Sequence, residues 1–359
     1  MDIPGLPANA VIEPDSVVEG RHDMAPVVDE LPGESVPYAL HAGEGLRLQV
    51  GPFHVTVMSR PQDNGGTFSL LRLACAEVSA SRFVSLDSAV FVHVTEGHFT
   101  FWFADGRRDV IGGGSVTIPA GTVWSFAARG TINAALVHSS SDALLRLAEV
   151  TGHPTVSHTF RPAGDLAVFD DSTLTACGLA LHDLPRLDDL VGSLDRLPED
   201  VGAFAIAAGQ GDRGEQFEQM NSFVCRPRHT GNQFFAMDTR GARAPYIPRH
   251  FHRLHTENFL CLGGIVKLHV NGQEVVLTPG DYVHAPAGTI HSFAFGANNT
   301  HMLGILTTGV FENFFDWMNR PSDHLVQLED GSQPWFPGEA FGRVQAQLDV
   351  QVVGPPPVH

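Results

Sequence analysis

Charged residues are scarce in this 359-residue sequence, and positive charge is the scarcer sign. Charged residues make up 17% of the chain, with 22 Lys and Arg against 40 Asp and Glu, which gives a net charge of −18. Proteins that bind nucleic acid carry a basic patch, and because this composition offers none we expect no nucleic-acid partner. Hydrophobic residues reach 43%, which indicates a folded chain with its own core.

Long apolar runs and paired cysteines are also missing. No apolar run approaches the roughly 20 residues of a membrane-spanning helix, and residues 1–20 lack the charged and apolar regions of a secretion signal. The four cysteines are far apart and form no Cys-x-x-Cys pair, so they predict reduced thiols. These absences favour a cytoplasmic enzyme or binding protein with no membrane partner. They leave the oligomeric state open, a homodimer included.

Two blocks of sequence repeat in the same order along the chain. Residues 43–68 align with 209–234 without a gap, which brings the Arg-Pro dipeptides of both blocks into register. Residues 113–126 (GGSVTIPAGTVWSF) align with 280–293 (GDYVHAPAGTIHSF), and a single inserted residue accounts for the small change of spacing between the two alignments. Two blocks that repeat in the same order at almost the same spacing predict a duplicated domain.

Each predicted half is typical of an all-β domain. The chain is rich in glycine (37) and proline (24), and segments such as HFTFWFADG and IVKLHVNGQEVVL alternate apolar and polar residues before a hairpin dipeptide. Helix-like stretches at 141–152, which opens with a Ser-Asp cap pattern, and at 310–321 end the two halves. The predicted organisation is an acidic lead (1–35), a first barrel (36–155), a linker (156–200), a second barrel (201–325) and a C-terminal tail (326–359). The last eight residues of this tail, VVGPPPVH, are predicted to form a poorly ordered extended end.

The second half contains a candidate metal site. His250 and His252 are two residues apart, so on a strand they face the same side of the sheet. Glu257 and His291 can reach the same interior from neighbouring strands. Three imidazoles and one carboxylate suit one divalent transition ion, with iron, manganese, nickel, cobalt and copper all compatible. Any single histidine is more often a satisfied core or surface residue, but four such residues at this spacing favour a metal.

The first half has lost these ligands. The alignment places Phe83, Ser85, Val90 and Trp124 at the four ligand positions, and none of them binds a metal in the usual way. We therefore expect an apolar, filled first barrel in which Trp124 is a core or pocket-plugging residue.

Other histidines and phenylalanines lie near the site in sequence. Of His255, His284 and His301, we take His255 as the best candidate to orient a ligand, because it lies between two of them. Four phenylalanines could line an aromatic cavity: Phe251, Phe259, Phe293 and Phe295. Phenylalanines at alternate strand positions are more often part of the ordinary core of a barrel.

These residues carry a family resemblance. The pattern HxH(x4)E(x6)G, followed by G(x5)PxG(x2)H, is similar to the double motif of the cupin superfamily and runs here from His250 to Gly264 and from Gly280 to His291. With PYALHAGEGLRLQVG, HTENFLCLGG and HMLGILTTGVFENFF, the chain resembles the quercetin 2,3-dioxygenase (flavonol 2,4-dioxygenase) family of bicupins. The resemblance covers residues 37–325 and implies two tandem cupin jelly-roll β-barrels with short flanking helices.

The resemblance also implies a function. It predicts a metal-dependent dioxygenase that opens a flavonol or a related enol or polyphenol ring with dioxygen and releases carbon monoxide. Glu257 would be both metal ligand and general base for the substrate hydroxyl. Two alternatives stay open at this point: a non-oxidative cupin enzyme such as an isomerase or another Lewis-acid catalyst, and a non-catalytic bicupin that binds a small molecule.

Overall fold

The fold is described by a computed structural model for residues 26–160, 170–326 and 335–357. Residues 1–25 of the predicted lead, 161–169 of the predicted linker, and 327–334 and 358–359 of the predicted tail lie outside the described residues. The first part of the chain contains the strands β1 (Val27–Val28), β2 (Tyr38–Leu40), β3 (Leu46–Val50), β4 (Phe53–Ser59), β5 (Ser69–Cys75), β6 (Phe83–Ser85), β7 (Val90–Phe103), β8 (Gly106–Ile111), β9 (Ser115–Ile118), β10 (Ser125–Ser139), β11 (His153–Pro154) and β12 (Ala180–His182), and the helices α1 (Ala143–Thr151) and α2 (Asp171–Ala176).

The second part repeats this order. Its strands are β13 (Phe204–Ile206), β14 (Asp212–Gln216), β15 (Gln219–Cys225), β16 (Phe235–Gly241), β17 (Arg249–Phe251), β18 (Thr256–Gly263), β19 (Val266–Val270), β20 (Gln273–Leu277), β21 (Tyr282–Ala285), β22 (His291–Phe295), β23 (Thr300–Thr307), β24 (Arg320–Pro321) and β25 (Gln351–Gly354), and its helices are α3 (Glu312–Met318) and α4 (Gly338–Gln347). None of the helices in these described ranges has the length and apolar character needed to cross a membrane.

The predicted duplication is visible in the strand boundaries. In the first sequence alignment, the strands β3, β4 and β5 have the same boundaries as β14, β15 and β16 of the second half. In the second alignment, β9 has the same boundaries as β21. A glycine pair explains part of this constancy. Gly45 and Gly211 have φ angles of 113° and 128°, and a Cβ on either would lie within 2.3 Å of the carbonyl oxygen of Val57 or 2.2 Å of that of Phe223. Only glycine fits such a close backbone approach.

The two halves exchange their first strands. β2 pairs antiparallel with β21 of the second half, and β13 pairs antiparallel with β9 of the first half. β2 therefore lies in the nine-stranded sheet of the second half, in the order β1-β2-β21-β18-β23-β16-β15-β14-β24. Opposite it in the second half is the five-stranded sheet β20-β19-β22-β17-β25, and apolar residues of both sheets form one core cluster. The fold is all-β with short helices, as predicted.

Residues of the predicted linker and tail also form strands. β12 pairs with β6 of the first half, and β25 pairs with β17 of the second half. The expectation of a poorly ordered end at residues 352–359 is wrong for residues 352–354, which belong to β25 and include the fully buried Val353. Earlier in the predicted tail, α4 packs against α3. The helices α1 and α3 lie within the predicted helical stretches. Asp142 is at the N-cap of α1, but its side chain makes no capping hydrogen bond.

A shared core joins the halves. One apolar cluster combines residues of the first half, such as Leu70 and Phe91, with residues of the second, such as Phe235 and Leu303. His138 of β10 lies between Phe68 and Phe234, with ring centroids 4.8 and 4.4 Å away, and is 1% exposed. Neither of its ring nitrogens has a hydrogen-bond partner among the described residues. Burial lowers the pKa of His138 to about 3 from its ordinary value of 6.5, so the imidazole is neutral.

This burial predicts an acid-dependent loss of stability. The unfolded chain takes up a proton at His138 near pH 6.5 and the folded chain does not, so the free energy of unfolding falls as the pH drops from 6.5 toward 3. Urea unfolding of the metal-stripped proteins at pH 7 and pH 5 measures this effect. We expect the free energy of unfolding to fall by about 2 kcal/mol less in His138→Leu than in the parent protein between these two pH values. His153→Leu, which removes an exposed histidine, is the control and should follow the parent. Parallel curves for His138→Leu and the parent would contradict the assignment.

Candidate metal centre

Both sheets of the second half supply residues to the candidate site. His250 on β17 and His291 on β22 are direct partners across the five-stranded sheet. Glu257 is on β18 of the nine-stranded sheet, and His252 follows the end of β17. The four predicted residues therefore meet between the two sheets.

The ligand atoms of these four residues are close together and buried. One side-chain nitrogen or oxygen of each lies within 4.8 Å of all the others. Glu257 Oε2 is 3.0 Å from His291 Nε2, and Glu257 Oε1 is 3.5 Å from His252 Nε2. His252 and His291 are each 2% exposed, and Glu257 is 9% exposed. This donor set is one that transition metals accept.

The backbone fixes which ring nitrogen faces the centre. Nδ1–H of His250 donates to the carbonyl oxygen of Pro248 at 2.8 Å, and Nδ1–H of His291 donates to that of Thr289 at 2.9 Å. His252 Nδ1–H donates to the carbonyl oxygen of Asp349. Because a carbonyl only accepts, the proton is on Nδ1 in each ring and Nε2 is free to bind a metal. Nε2 of His252 is buried without a hydrogen-bond partner in the described part of the chain, as expected of a ligand atom.

Burial and the contacts among the site residues determine their protonation states. Burial, with the neighbouring His291, lowers the pKa of His250 to about 4, and burial next to His255 holds the pKa of His252 well below its usual value. For Glu257, burial favours the neutral acid, but the neighbouring His252, His255 and His291 outweigh it and hold the pKa well below its ordinary value. Two neutral imidazoles beside an ionised carboxylate are in the protonation state that binds metal.

A second group of residues supports these ligands from behind. His255 Nε2 is 3.6 Å from Glu257 Oε1, and its Nδ1 is 2.8 Å from a carboxylate oxygen of Asp349. The same carboxylate accepts hydrogen bonds from the backbone N–H groups of Arg253 and Leu254, both at 2.8 Å. Burial disfavours a charge on His255, but its contacts with Asp349 and Glu257 outweigh this and raise its pKa. Asp349 was missed by sequence reasoning, because no motif links it to the site.

The other histidines singled out in sequence lie elsewhere. His284 contacts Asn258 and the ring of Tyr38, and His301 pairs with Asp238 at 2.8 Å. His255 is thus the one of the three predicted candidates that contacts a ligand residue.

A cavity of about 110 Å³ adjoins the centre. His250 and Glu257 lie in its wall. Of the four phenylalanines considered for such a lining, Phe259 and Phe293 line the cavity. Phe251 and Phe295 are not among its lining residues and pack in apolar clusters instead. Further aromatic side chains come from around α3 and from the C-terminal segment: Phe311, Phe314, Phe315, Phe336 and Phe341. The sequence did not indicate these five.

The first half keeps the scaffold but not the donors. Phe83, Ser85, Val90 and Trp124 occupy the ligand positions and are buried. Among the described residues up to 200, no three His, Cys, Asp or Glu side chains converge as a metal site would require. The expectation of a filled interior is wrong, because a cavity of about 330 Å³ lies there and Trp124 lines it.

The support from Asp349 can be tested directly. Hydrogen bonds behind metal ligands typically change metal affinity by about 10- to 100-fold. We expect Asp349→Ala to weaken metal binding by about that factor, because it frees both the 253–255 loop and His255. A chelator competition titration measures the affinity. Asp323→Ala, a surface carboxylate paired with Arg196, is the matched control and should bind metal like the parent. Equal affinities for both variants would remove Asp349 from the site.

Comparison with known proteins agrees with the double motif. The family model described as a cupin domain matches residues 241–303, which include all four candidate ligands. The quercetin 2,3-dioxygenase of Bacillus subtilis (strain 168) is 29% identical over 308 residues, covering 83% of this chain and 91% of the relative. The quercetin 2,3-dioxygenase of Aspergillus japonicus is 32% identical over 94 residues, which is 23% of this chain and 27% of the relative.

Solved structures show the same fold. The protein Ylba from E. coli superposes with a TM-score of 0.51, at 11% identity, over 81% of this chain and 96% of its own. An oxalate decarboxylase of B. subtilis superposes with a TM-score of 0.50, at 11% identity, over 73% of this chain and 75% of its own. At this identity the likeness concerns the fold alone.

Proposed function

We propose that the chain, which is similar to quercetin 2,3-dioxygenases and matches a cupin domain, is a metal-dependent dioxygenase of the quercetinase type. Its substrate is a flavonol or a related enol or polyphenol, whose ring is opened by dioxygen with loss of carbon monoxide. One observation carries the proposal: three histidines with Nε2 free and one ionised carboxylate converge at the wall of an aromatic-lined cavity.

The cavity chemistry supports a polyphenol. Besides its aromatic rings, the lining has amide and hydroxyl side chains that can bond ring hydroxyls: Gln216, Gln219, Asn221, Thr239 and Asn258. The cavity volume of about 110 Å³ is smaller than that of a cavity of about 150 Å³ that holds one benzene ring. A substrate with two or three rings therefore requires side chains such as Phe311 and Phe336 to move aside on binding.

Each site residue has a defined task. His250, His252, His291 and Glu257 would hold one divalent ion of iron, manganese, nickel, cobalt or copper. When bound, that ion would supply positive charge that lowers the pKa of a nearby substrate hydroxyl. Glu257, with its carboxylate in the cavity wall, takes the hydroxyl proton and so favours the electron-rich substrate anion that reacts with dioxygen. The apolar walls exclude water from that anion.

The role of Glu257 as base predicts a sharp loss of activity on amide substitution. We expect Glu257→Gln, which keeps the side-chain volume but cannot take a proton, to lower oxygen uptake with quercetin by about 100-fold or more. An oxygen electrode measures the rate, and metal analysis of the same sample shows whether three imidazoles still hold the ion. Glu274→Gln, on an exposed position of β20, is the control and should match the parent.

The outcomes separate the alternatives. Near-normal oxygen uptake by metal-loaded Glu257→Gln would remove Glu257 as the base. Substrate turnover by the parent protein without oxygen would indicate a non-oxidative cupin enzyme instead. Binding of the polyphenol without any turnover would indicate a non-catalytic bicupin.

Metal content is a second check. We expect elemental analysis of the purified protein to give about one transition metal per chain, because the first half has an apolar residue or a serine at each ligand position. His291→Ala should reduce this content, whereas Trp124→Phe should leave it unchanged. Two metals per chain would contradict the assignment of a single site.

A further inference from the structure

The interior of the first half contains a larger cavity than the candidate metal centre. It has a volume of about 330 Å³ and is walled by strands of the first half and by residues of α1 and α2. An apolar cavity of about 150 Å³ holds one benzene ring, so this one has room for about two. Empty space of this size costs stability because its wall atoms lack packing partners.

The wall has changed its chemistry relative to the second half. When the first sequence alignment is continued through β5 and β16, apolar side chains replace four polar ones of the metal-bearing half. Val50 stands for Gln216, Phe53 for Gln219, Val55 for Asn221 and Leu73 for Thr239. The first half has thus lost its polar lining as well as its metal ligands, while keeping the cavity open.

Aromatic rings make up one side of this cavity. The ring of Trp124 lies 6.4 Å from that of Phe101 and 6.0 Å from that of Phe126, with interplanar angles of 37° and 31°. Phe53 lies 6.0 Å from Phe126. Offset and tilted rings at these distances pack well against another aromatic ring.

Trp124 presents ring carbon atoms to this cavity. It lines the cavity and is 6% exposed, but its Nε1 has almost no accessible surface and therefore does not face the open space. A molecule in the cavity meets the apolar part of the indole. Arg82, the charged residue of the lining, is already paired with Asp171 and is half-exposed.

We propose that the cavity of the first half is a metal-independent binding site for an uncharged aromatic molecule of about two rings. Its rings pack against those of Phe101, Trp124 and Phe126. The molecule is uncharged, because the cavity wall offers a charge no buried partner. This site is distinct from the candidate metal centre and does not depend on the proposed function.

Two probes and matched variants test this proposal. Coumarin is an uncharged bicycle with a carbonyl acceptor, and naphthalene is a bicycle of similar size without one. We expect coumarin to bind the full-length protein at one site per chain, with equal affinity before and after metal stripping, as measured by equilibrium dialysis. Trp124→Ala should weaken the binding of both probes by about 3- to 10-fold, because it removes one aromatic ring of the cavity wall.

A pair of equivalent positions locates the site. Ala135 lines the cavity of the first half, and Met302 lies at the equivalent place in the second. Ala135→Phe should abolish binding of both probes by filling the cavity, whereas Met302→Phe should leave it unchanged. Loss of coumarin binding in Met302→Phe alone, or no binding at all, would overturn the proposal. Unchanged binding of both probes by Trp124→Ala would also overturn the proposal. If Ala135→Phe fails to fold, the comparison of Trp124→Ala with Met302→Phe still decides between these outcomes.

Discussion

The candidate centre depends on where each imidazole carries its proton. His250, His252 and His291 each donate Nδ1–H to a backbone carbonyl, so all three present Nε2 to the same point. This arrangement uses one hydrogen bond per ring for orientation and leaves the opposite nitrogen as a ligand. Glu257 then meets these rings as a buried carboxylate, stabilised in its ionised form by its contacts with His252, His255 and His291. If any of the three carbonyls were displaced, a ring could rotate or change tautomer, and the donor set would no longer converge.

The same constraint explains why the C-terminal segment matters to a site that is far away in sequence. Asp349 supplies the carbonyl for His252 and the carboxylate for His255 and the 253–255 loop. β25 then pairs with β17, the strand that carries His250. The segment is therefore part of the architecture of the site. The first half has an equivalent strand, β12, which pairs with β6. There the residue at a ligand position is Ser85, whose hydroxyl oxygen lies 2.9 Å from Nε2 of His182 on β12.

Duplication gave the two halves one scaffold, and their interiors then diverged. The exchange of β2 and β13 binds the halves through backbone hydrogen bonds, and the shared apolar core around His138 binds them through side chains. This mutual dependence is a physical reason to retain a first half that lacks metal ligands. Its interior is more apolar than that of the second half, and its cavity is larger.

The sequence by itself determined the all-β class, the duplication and the four residues of the candidate centre. Strand alternation, glycines required by backbone approach and ligand spacing are local properties, and local properties can be read along the chain. The tertiary structure alone decided the strand exchange, the role of Asp349, the five phenylalanines near α3 and the C-terminal segment, and the open cavity beside Trp124. Each of these depends on contacts between residues far apart in sequence, 94 positions in the case of His255 and Asp349. Whether an apolar interior is filled or open depends on how side-chain volumes add up in three dimensions, which residue identities at aligned positions do not reveal.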